Sequence, residues 1–168
     1  MSATRVCVAV TGAAVLVIPA LDVAARFLAT PGWIFAFVFY LGAPIWLLSF
    51  GALIWMSSGM LSRTSAFATA PKAQQWIVAG LLWAYMLGLS IFCWFMSDGG
   101  DADDWQSPAG RLLGVDGYNS DTPEYLNRAQ DIAMPALGAG LVALLAAVIG
   151  YAIVAGRQRR RSELRITE

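Results

Sequence analysis

The sequence contains no histidine and only two cysteines among its 168 residues. Without histidine, the chain lacks the usual ligands of catalytic zinc and of bis-histidine haem, and also the commonest general base of enzymes. The two cysteines, Cys7 and Cys93, do not form a Cys-x-x-Cys pair, which excludes dithiol redox chemistry. These absences predict a protein that is not an enzyme and that holds no cofactor.

Charged residues are also scarce, at 13% of the chain, whereas apolar residues make up 58%. Soluble domains are usually about 45–50% apolar and about 25% charged. Eleven basic residues balance eleven acidic residues, so the chain lacks the positive excess of a nucleic-acid-binding protein. The composition therefore predicts a membrane protein whose main partner is the lipid bilayer.

Four long apolar runs account for most of the sequence, and each has about the 20 residues that a helix needs to cross a bilayer. Tryptophans, which favour the membrane interfaces, lie near both ends of the two middle runs. We predict an all-α fold, a polytopic bundle of four transmembrane helices in one membrane domain (residues 1–156) with a basic tail (residues 157–168). The predicted spans are residues 6–27, 33–56, 76–96 and 132–155.

Several details of these runs carry further expectations. The first run follows Arg5 and also suits a cleavable signal peptide, although its length favours a retained helix. Pro19 and Pro44 lie inside the first two runs, where each removes a backbone N–H and predicts a bend. The cysteines lie near opposite faces of the membrane in this arrangement, too far apart for a disulfide, so we predict two free thiols.

Basic residues set the expected orientation, because cytoplasmic segments carry most of the Arg and Lys of a membrane protein. The strongest signal is a run of arginines directly after the last span: Arg157, Arg159, Arg160 and Arg161. They predict that both termini are cytoplasmic, and a second interpretation is that they bind anionic lipid head groups. Ten arginines against a single lysine, with abundant Ala and Gly, indicate a GC-rich genome and hence a bacterial cell membrane.

The segment between the third and fourth spans, residues 97–131, is predicted to be an acidic extracytoplasmic loop. Its eight acidic residues and two arginines give a net charge of −6. Clustered carboxylates on a glycine turn suit a hard cation such as calcium, which defines a speculative cation site of Asp98, Asp101, Asp103 and Asp104. The spacing does not match the twelve-residue calcium loop, so a solvated acidic face is the simpler interpretation. The apolar residues of the loop suit either a cap over the helix ends or an interface for a partner protein.

Two patterns within the spans predict helix contacts. Asp22 and Arg26 are four residues apart near the outer end of the first span, which is the spacing of an ion pair along a helix. Small residues recur every four positions in the third and fourth spans, and they suit close helix packing. These stripes predict either contact between the two helices or contact with another membrane subunit: Gly80, Ala84 and Gly88, and Ala139, Ala143 and Ala147.

The polar content of the spans bears on function. No ionisable residue lies at mid-depth in the last three spans, which argues against a proton-coupled carrier. The polar residues are too few and ordinary to predict a channel: Thr11, Tyr40, Ser49, Tyr85 and Ser90. The sequence favours a non-catalytic accessory or interaction subunit of a larger membrane assembly, with other subunits or copies of itself as partners. The alternative is a small carrier, channel or sensor whose acidic outer loop binds cations or a ligand.

Overall fold

The structure, a computed structural model, describes residues 2–29, 32–98, 106–115 and 122–166, with side chains described as far as residue 160. Within these ranges the chain is helical and has no β-strand; an isolated bridge pairs Asp98 with Gln106. The helices are α1 (Ala3–Ala29), α2 (Trp33–Leu41), α3 (Ala43–Leu61), α4 (Lys72–Phe95), α5 (Pro108–Leu112), α6 (Glu124–Asp131) and α7 (Ala133–Ile166).

Four of the described helices are long and apolar enough to cross a membrane: Ala3–Ala29, Ala43–Leu61, Lys72–Phe95 and Ala133–Arg160. Their outer surfaces carry many large apolar side chains, of which Leu28 is 86% exposed. Such a surface is expected where the surrounding solvent is lipid. The all-helical class and the number of long apolar helices confirm the prediction from the sequence.

The four long helices pack as a ring. α1 contacts α3 and α4, and α7 contacts α4 extensively but α3 only slightly. The contact between α3 and α7 includes the rings of Trp55 and Tyr151, whose centroids are 4.8 Å apart. A Cβ at Gly59 would overlap the Tyr151 hydroxyl, so the contact requires glycine at that position.

Hydrogen bonds along α1 hold its two neighbours. The Ser57 hydroxyl on α3 donates to the Gly12 carbonyl at 2.6 Å, and the Trp83 indole on α4 donates to the Thr11 hydroxyl at 3.1 Å. Polar side chains of this kind join helices where lipid supplies no hydrophobic drive for association. These bonds connect α1 to both α3 and α4, so α1 lies between these two helices in the ring.

Arg5 closes one end of the bundle. Its guanidinium donates to the carbonyls of Met60 and Leu61, both at 2.8 Å, at the end of α3. The last carbonyls of a helix lack intrahelical donors and carry the negative end of its dipole, so a cation is favourable there. The start of α1 therefore lies beside the end of α3, and we call this end of the bundle the terminal end and the opposite one the loop end.

The second predicted span is two helices rather than one. α2 ends at Leu41 and α3 begins at Ala43, with Pro44 in the first turn of α3. The Trp46 indole donates to the Val38 carbonyl at 3.0 Å across this break. A Cβ at Gly42 would lie 2.4 Å from the same carbonyl oxygen. The expectation of an uninterrupted helix over residues 33–56 is therefore corrected: the bend predicted at Pro44 is a break, whereas Pro19 lies within the continuous α1.

Two short helices cover the loop end. α5 packs against α1 and α4, and α6 packs against α4 and α7. Leu126 is buried under α6, while Leu112 and Tyr125 stay exposed. The described parts of the predicted outer loop therefore form a cap, and this cap still presents apolar side chains on its surface.

The end of the last helix differs from the prediction, whereas the state of the two cysteines agrees with it. α7 continues without a break to Ile166, so the basic tail predicted to begin at residue 157 is an extension of the last helix. Cys7 is half-buried on α1, Cys93 is buried on α4, and both are free, as predicted.

Candidate functional site

A buried polar cluster lies at the loop end, between α1 and α4. Asp22 is only 7% exposed, and its carboxylate accepts hydrogen bonds from the Ser90 hydroxyl at 2.6 Å and the Trp94 indole at 2.9 Å. The two donors are four residues apart, so they lie on the same face of α4. A carboxylate in apolar surroundings needs such donors, and these bonds tie α1 to α4.

Arg26 lies next to this carboxylate along α1 but has different partners. Its Nη1 donates to the Met96 carbonyl at 2.5 Å, just beyond the end of α4, and its Nη2 lies 3.4 Å from Oδ2 of Asp98. The guanidinium also lies over the Phe35 ring, 5.6 Å from the centroid. Arg26 is buried, so these contacts replace its hydration.

The predicted ion pair between Asp22 and Arg26 is therefore wrong. The spacing of four residues permits such a pair, but both side chains face neighbouring helices, which supply donors to the acid and acceptors to the base. Asp22 is held by Ser90 and Trp94, about 70 positions away in the chain, and Nη1 of Arg26 by the Met96 carbonyl. Nη2 of Arg26 makes no hydrogen bond among the described residues and has only the 3.4 Å contact with Asp98. Instead of one ion pair along α1, Asp22 and Arg26 each make separate contacts with other parts of the bundle.

Asp98 caps the start of α2. Its Oδ1 accepts from the Ile34 amide at 2.9 Å, and its Oδ2 accepts from the Phe35 amide at 2.6 Å. These amides are among the unpaired donors of the first helical turn, where a negative charge is favourable. The residue that precedes α2 is Gly32, and a Cβ there would lie 2.2 Å from Cγ of Asp98. Only glycine lets the carboxylate approach the helix this closely.

The position of Asp98 removes it from the speculative cation site. Both of its oxygens are engaged with α2, and the residue is buried beside a guanidinium. The other members of that site, Asp101, Asp103 and Asp104, lie outside the described residues. Within the part of the chain that the structure describes, no group of three or more His, Cys, Asp or Glu residues is placed to hold a metal ion.

A third arginine, Arg111 of α5, donates to the Ala29 carbonyl at the end of α1. Arg26 and Arg111 thus bind carbonyl groups at the ends of α4 and α1, as Arg5 does at the end of α3. Cations at helix C-termini compensate both the unpaired carbonyls and the dipole. Two basic residues at the loop end, Arg26 and Arg111, therefore compensate helix C-termini.

The helices α4 and α7 meet most closely at two glycines. A Cβ at Gly88 would lie 2.3 Å from the Ala136 carbonyl oxygen and 3.1 Å from Cα of Gly140. The backbones can approach this closely only because neither glycine has a side chain. The contact supports the prediction that small residues bring these two helices together.

The predicted stripes, however, do not each face one neighbour. An α-helix turns by about 100° per residue, so positions four apart drift by about 40° at each step. From Ala133 to Tyr151, the buried positions of α7 instead alternate spacings of four and three: Ala133, Leu137, Gly140, Leu144, Ala147 and Tyr151. Of the predicted stripe residues, two are buried, one is half-buried and three are exposed: Gly88 and Ala147, then Ala143, then Gly80, Ala84 and Ala139.

Some helical glycines face outward. A Cβ at Gly80 on α4 or at Gly138 on α7 would have no neighbour within 4 Å among the described residues. Glycine within a helix is less favourable than alanine by about 1 kcal/mol. The packing described within this chain gives no reason for glycine at either position.

The basic residues lie at the terminal end, on the extension of α7. Arg157, Arg159 and Arg160 are exposed there, and Arg161 belongs to the same helix. Arg159 also lines a cleft of about 350 Å³ between α3 and α7, together with Trp55 and other residues. The extension beyond Ala155 is roughly 16 Å long, so it carries the charge well past the apolar part of the helix.

Comparisons of the chain with protein-family profiles, with curated proteins and with solved structures found no match. The class of the protein therefore follows from its own geometry, as an all-helical bundle with four candidate membrane-spanning helices. The notable features are a polar cluster at the loop end, outward-facing glycines on α4 and α7, and a basic helical extension at the terminal end.

Proposed function

We propose that the chain is a non-catalytic accessory subunit of a larger membrane assembly in a bacterial cell membrane, with both termini in the cytoplasm. The observation that carries this proposal is the pair of outward-facing glycines, Gly80 on α4 and Gly138 on α7. In lipid, helices associate through close backbone approach at small residues. Membrane helices packed against the outer faces of α4 and α7 would give both glycines a role.

The chain already uses glycine in this way internally. Gly88 and Gly140 let α4 and α7 approach each other at backbone distance. Gly80 lies two turns before Gly88 on the same helix but is exposed, and Ala84 between them is exposed as well. The same chemistry repeated on an outward surface favours a contact with another protein over a surface that meets only lipid.

The buried charges support a scaffold more than a transport path. Asp22, Arg26 and Asp98 are each held by groups on other helices, and each contact joins two elements of the bundle. The alternative of a carrier, channel or sensor that uses the acidic loop loses Asp98 as a free ligand. No contact among the described residues specifically favours that alternative.

The basic extension of α7 supports the orientation. Positive residues that follow a span directly favour the cytoplasmic side, and Arg157 and Arg160 are exposed on this extension. Anionic lipid head groups would attract the same residues by about 1 kcal/mol each near the membrane surface. A topology anchor and a lipid contact are compatible roles of one charged segment.

Leucine substitutions test the proposed contact. Gly80→Leu and Gly138→Leu should release the tagged chain from its assembly, measured by native mass spectrometry after extraction from membranes in mild detergent. Gly51→Leu is the comparison variant, because Gly51 is equally open, with no atom of the described residues within 4 Å of an added Cβ, but lies on α3, across the ring from α4. If the contact is confined to α4 and α7, Gly51→Leu should leave the assembly intact. All three variants should keep the thermal stability of the isolated chain. Recovery of the unaltered protein only as a lone monomer would refute the proposal.

A further inference from the structure

A cavity of about 370 Å³ lies towards the loop end of the bundle, between α1, α2, α3 and α4. The helices α3 and α4 lie across the ring from each other, and Phe35, Val38 and Phe39 of α2 line the cavity between them. The lining is almost wholly apolar and rich in aromatic rings, and the described lining has no charged residue. The rings are those of Phe35, Phe39, Trp46, Phe50, Tyr85 and Phe92.

Two residues that carry a hydroxyl group line this cavity from opposite helices. Tyr85 on α4 is 2% exposed, and Ser49 on α3 is half-buried. Neither hydroxyl has a hydrogen-bond partner among the described residues. A serine or threonine in a helix often donates to the carbonyl four residues earlier, as Thr11 does to Cys7 at 2.9 Å. Ser49 makes no such bond.

Unpaired hydroxyl groups in an apolar interior are unfavourable and call for a specific explanation. Water is a weaker explanation here, because a buried water typically makes about three hydrogen bonds, and Tyr85 and Ser49 are the only hydroxyl-bearing residues in the described lining. A saturated lipid chain would fill the volume but would leave both hydroxyls unpaired. A ligand with a hydrogen-bond acceptor satisfies the apolar lining and the two donors together.

We propose that this cavity binds a neutral, membrane-soluble molecule that has an apolar body and carbonyl oxygens that accept hydrogen bonds from Tyr85 and Ser49. Small-molecule sites usually have volumes of about 300–1,000 Å³ and are mostly apolar, with a few placed polar groups. This cavity falls at the lower end of that range. Two kinds of membrane molecule share the required chemistry: the ring of a quinone and the ester group of a diacylglycerol.

The site is independent of the proposed subunit contact. Tyr85 and Ser49 face the interior between α3 and α4, whereas Gly80 and Gly138 face outward. A chain without partner subunits would keep the cavity, and a chain with a filled cavity would keep the outward face. Failure of one proposal therefore leaves the other intact.

Binding of three probes to the purified full chain in lipid nanodiscs tests the site: a benzoquinone with a decyl chain, dioctanoylglycerol, and decane as the probe without an acceptor. The readout is the thermal unfolding temperature as a function of probe concentration, which yields a dissociation constant. At least one carbonyl probe should bind at least tenfold more tightly than decane. Tightest binding of the quinone identifies a quinone site, and tightest binding of dioctanoylglycerol identifies a lipid-ester site.

Hydroxyl deletions locate the binding. Tyr85→Phe and Ser49→Ala should each raise the dissociation constant of that probe about 3- to 10-fold, as expected for one lost hydrogen bond. The probe-free protein should lose no stability on Tyr85→Phe, because the hydroxyl has no partner in the described chain. Tyr40→Phe is the matched control, since Tyr40 on α2 is exposed and does not line the cavity. The Tyr40→Phe variant should bind the probe with the dissociation constant of the unaltered protein.

A second kind of variant covers the case in which Tyr85→Phe fails to fold. Ala20→Leu adds volume from α1 at a lining position that is itself exposed, and it should weaken carbonyl-probe binding at least 3-fold. The proposal is overturned if neither carbonyl probe binds better than decane. It is equally overturned if the hydroxyl deletions or Ala20→Leu leave the dissociation constant unchanged.

Discussion

Replacing Asp98 with alanine removes the carboxylate that connects α4 to the start of α2. The wild-type carboxylate accepts two backbone amides of α2, at 2.9 and 2.6 Å, and lies 3.4 Å from the Arg26 guanidinium. Asp98→Ala therefore leaves the first turn of α2 uncapped and the buried arginine without its counter-charge. Arg26 keeps only the Met96 carbonyl and the Phe35 ring as partners.

The expected loss follows from these contacts. Removal of a helix N-cap typically costs about 0.5–2 kcal/mol, and removal of one member of a buried ion pair costs about 3–5 kcal/mol. The two contributions share one side chain and are not additive. We therefore expect Asp98→Ala to lower the free energy of unfolding by about 3–5 kcal/mol. Asp98→Asn should lose less, because its amide oxygen can still accept one backbone N–H.

Reversible unfolding in mixed micelles, driven by a denaturing detergent and followed by circular dichroism, measures this change. Asp131→Ala is the matched control, since Asp131 is exposed at the end of α6. An exposed substitution of this kind should change stability by no more than about 0.5 kcal/mol. The double variant Arg26→Met with Asp98→Asn should be more stable than the sum of the single losses predicts. A loss below about 1 kcal/mol for Asp98→Ala would refute the assignment of Asp98 as cap and counter-charge.

Three further substitutions test other contacts by the same titration. Gly88→Val should cost about 1–3 kcal/mol or more by forcing α4 away from α7, and a neutral result would show that the close approach of the two backbones is wrong. Arg5→Ala should cost about 1 kcal/mol, because its bonds to the end of α3 are partly exposed and screened; no change would remove its role as a helix-end cation. Trp94→Phe should cost about 1–2 kcal/mol, because it leaves Asp22 with a single side-chain donor, and an unaltered midpoint would argue against that hydrogen bond.

The features that could be predicted from the sequence depend on local composition. Four apolar runs of sufficient length predict four long helices, since each run satisfies its own backbone in an apolar environment. Pro44, which lacks an N–H, predicts a bend in the second run, but the sequence does not indicate that the helix breaks at Gly42 or that the Trp46 indole donates across the break. The distant residues that complete each contact are absent from such local patterns.

The polar cluster shows what local sequence patterns cannot predict. Asp22 and Arg26 have the spacing of an ion pair along a helix, yet their partners, among them Trp94 and Asp98, are brought close only by the packing of α1 against α4. A usable signal was present, since Asp98 lies two residues after the third predicted span and Gly32 directly precedes α2. The packing matches the stripes only in part for a related reason: Gly88 lies at the close contact between α4 and α7, but a spacing of four leaves open which small residues face a neighbour.

The cavity is a second feature that local sequence patterns cannot predict. Tyr85 and Ser49 are ordinary polar residues in a sequence, and nothing in their spacing links them. Only the arrangement of α3 and α4 across the ring places both hydroxyls in one apolar space. Their lack of partners within the described chain is a property of the fold and could not be read from composition.

Single-cysteine labelling most directly tests the central claim, a bundle that crosses the cell membrane with both termini in the cytoplasm. In a chain whose Cys7 and Cys93 are replaced by alanine, Glu124→Cys places a thiol at the exposed start of α6, and Ser2→Cys places one at the terminal end. A membrane-impermeant maleimide applied to intact spheroplasts should label Glu124→Cys at once and Ser2→Cys only after permeabilisation. The reverse pattern would contradict the orientation, and recovery of the folded chain in a detergent-free soluble fraction would contradict the membrane bundle itself.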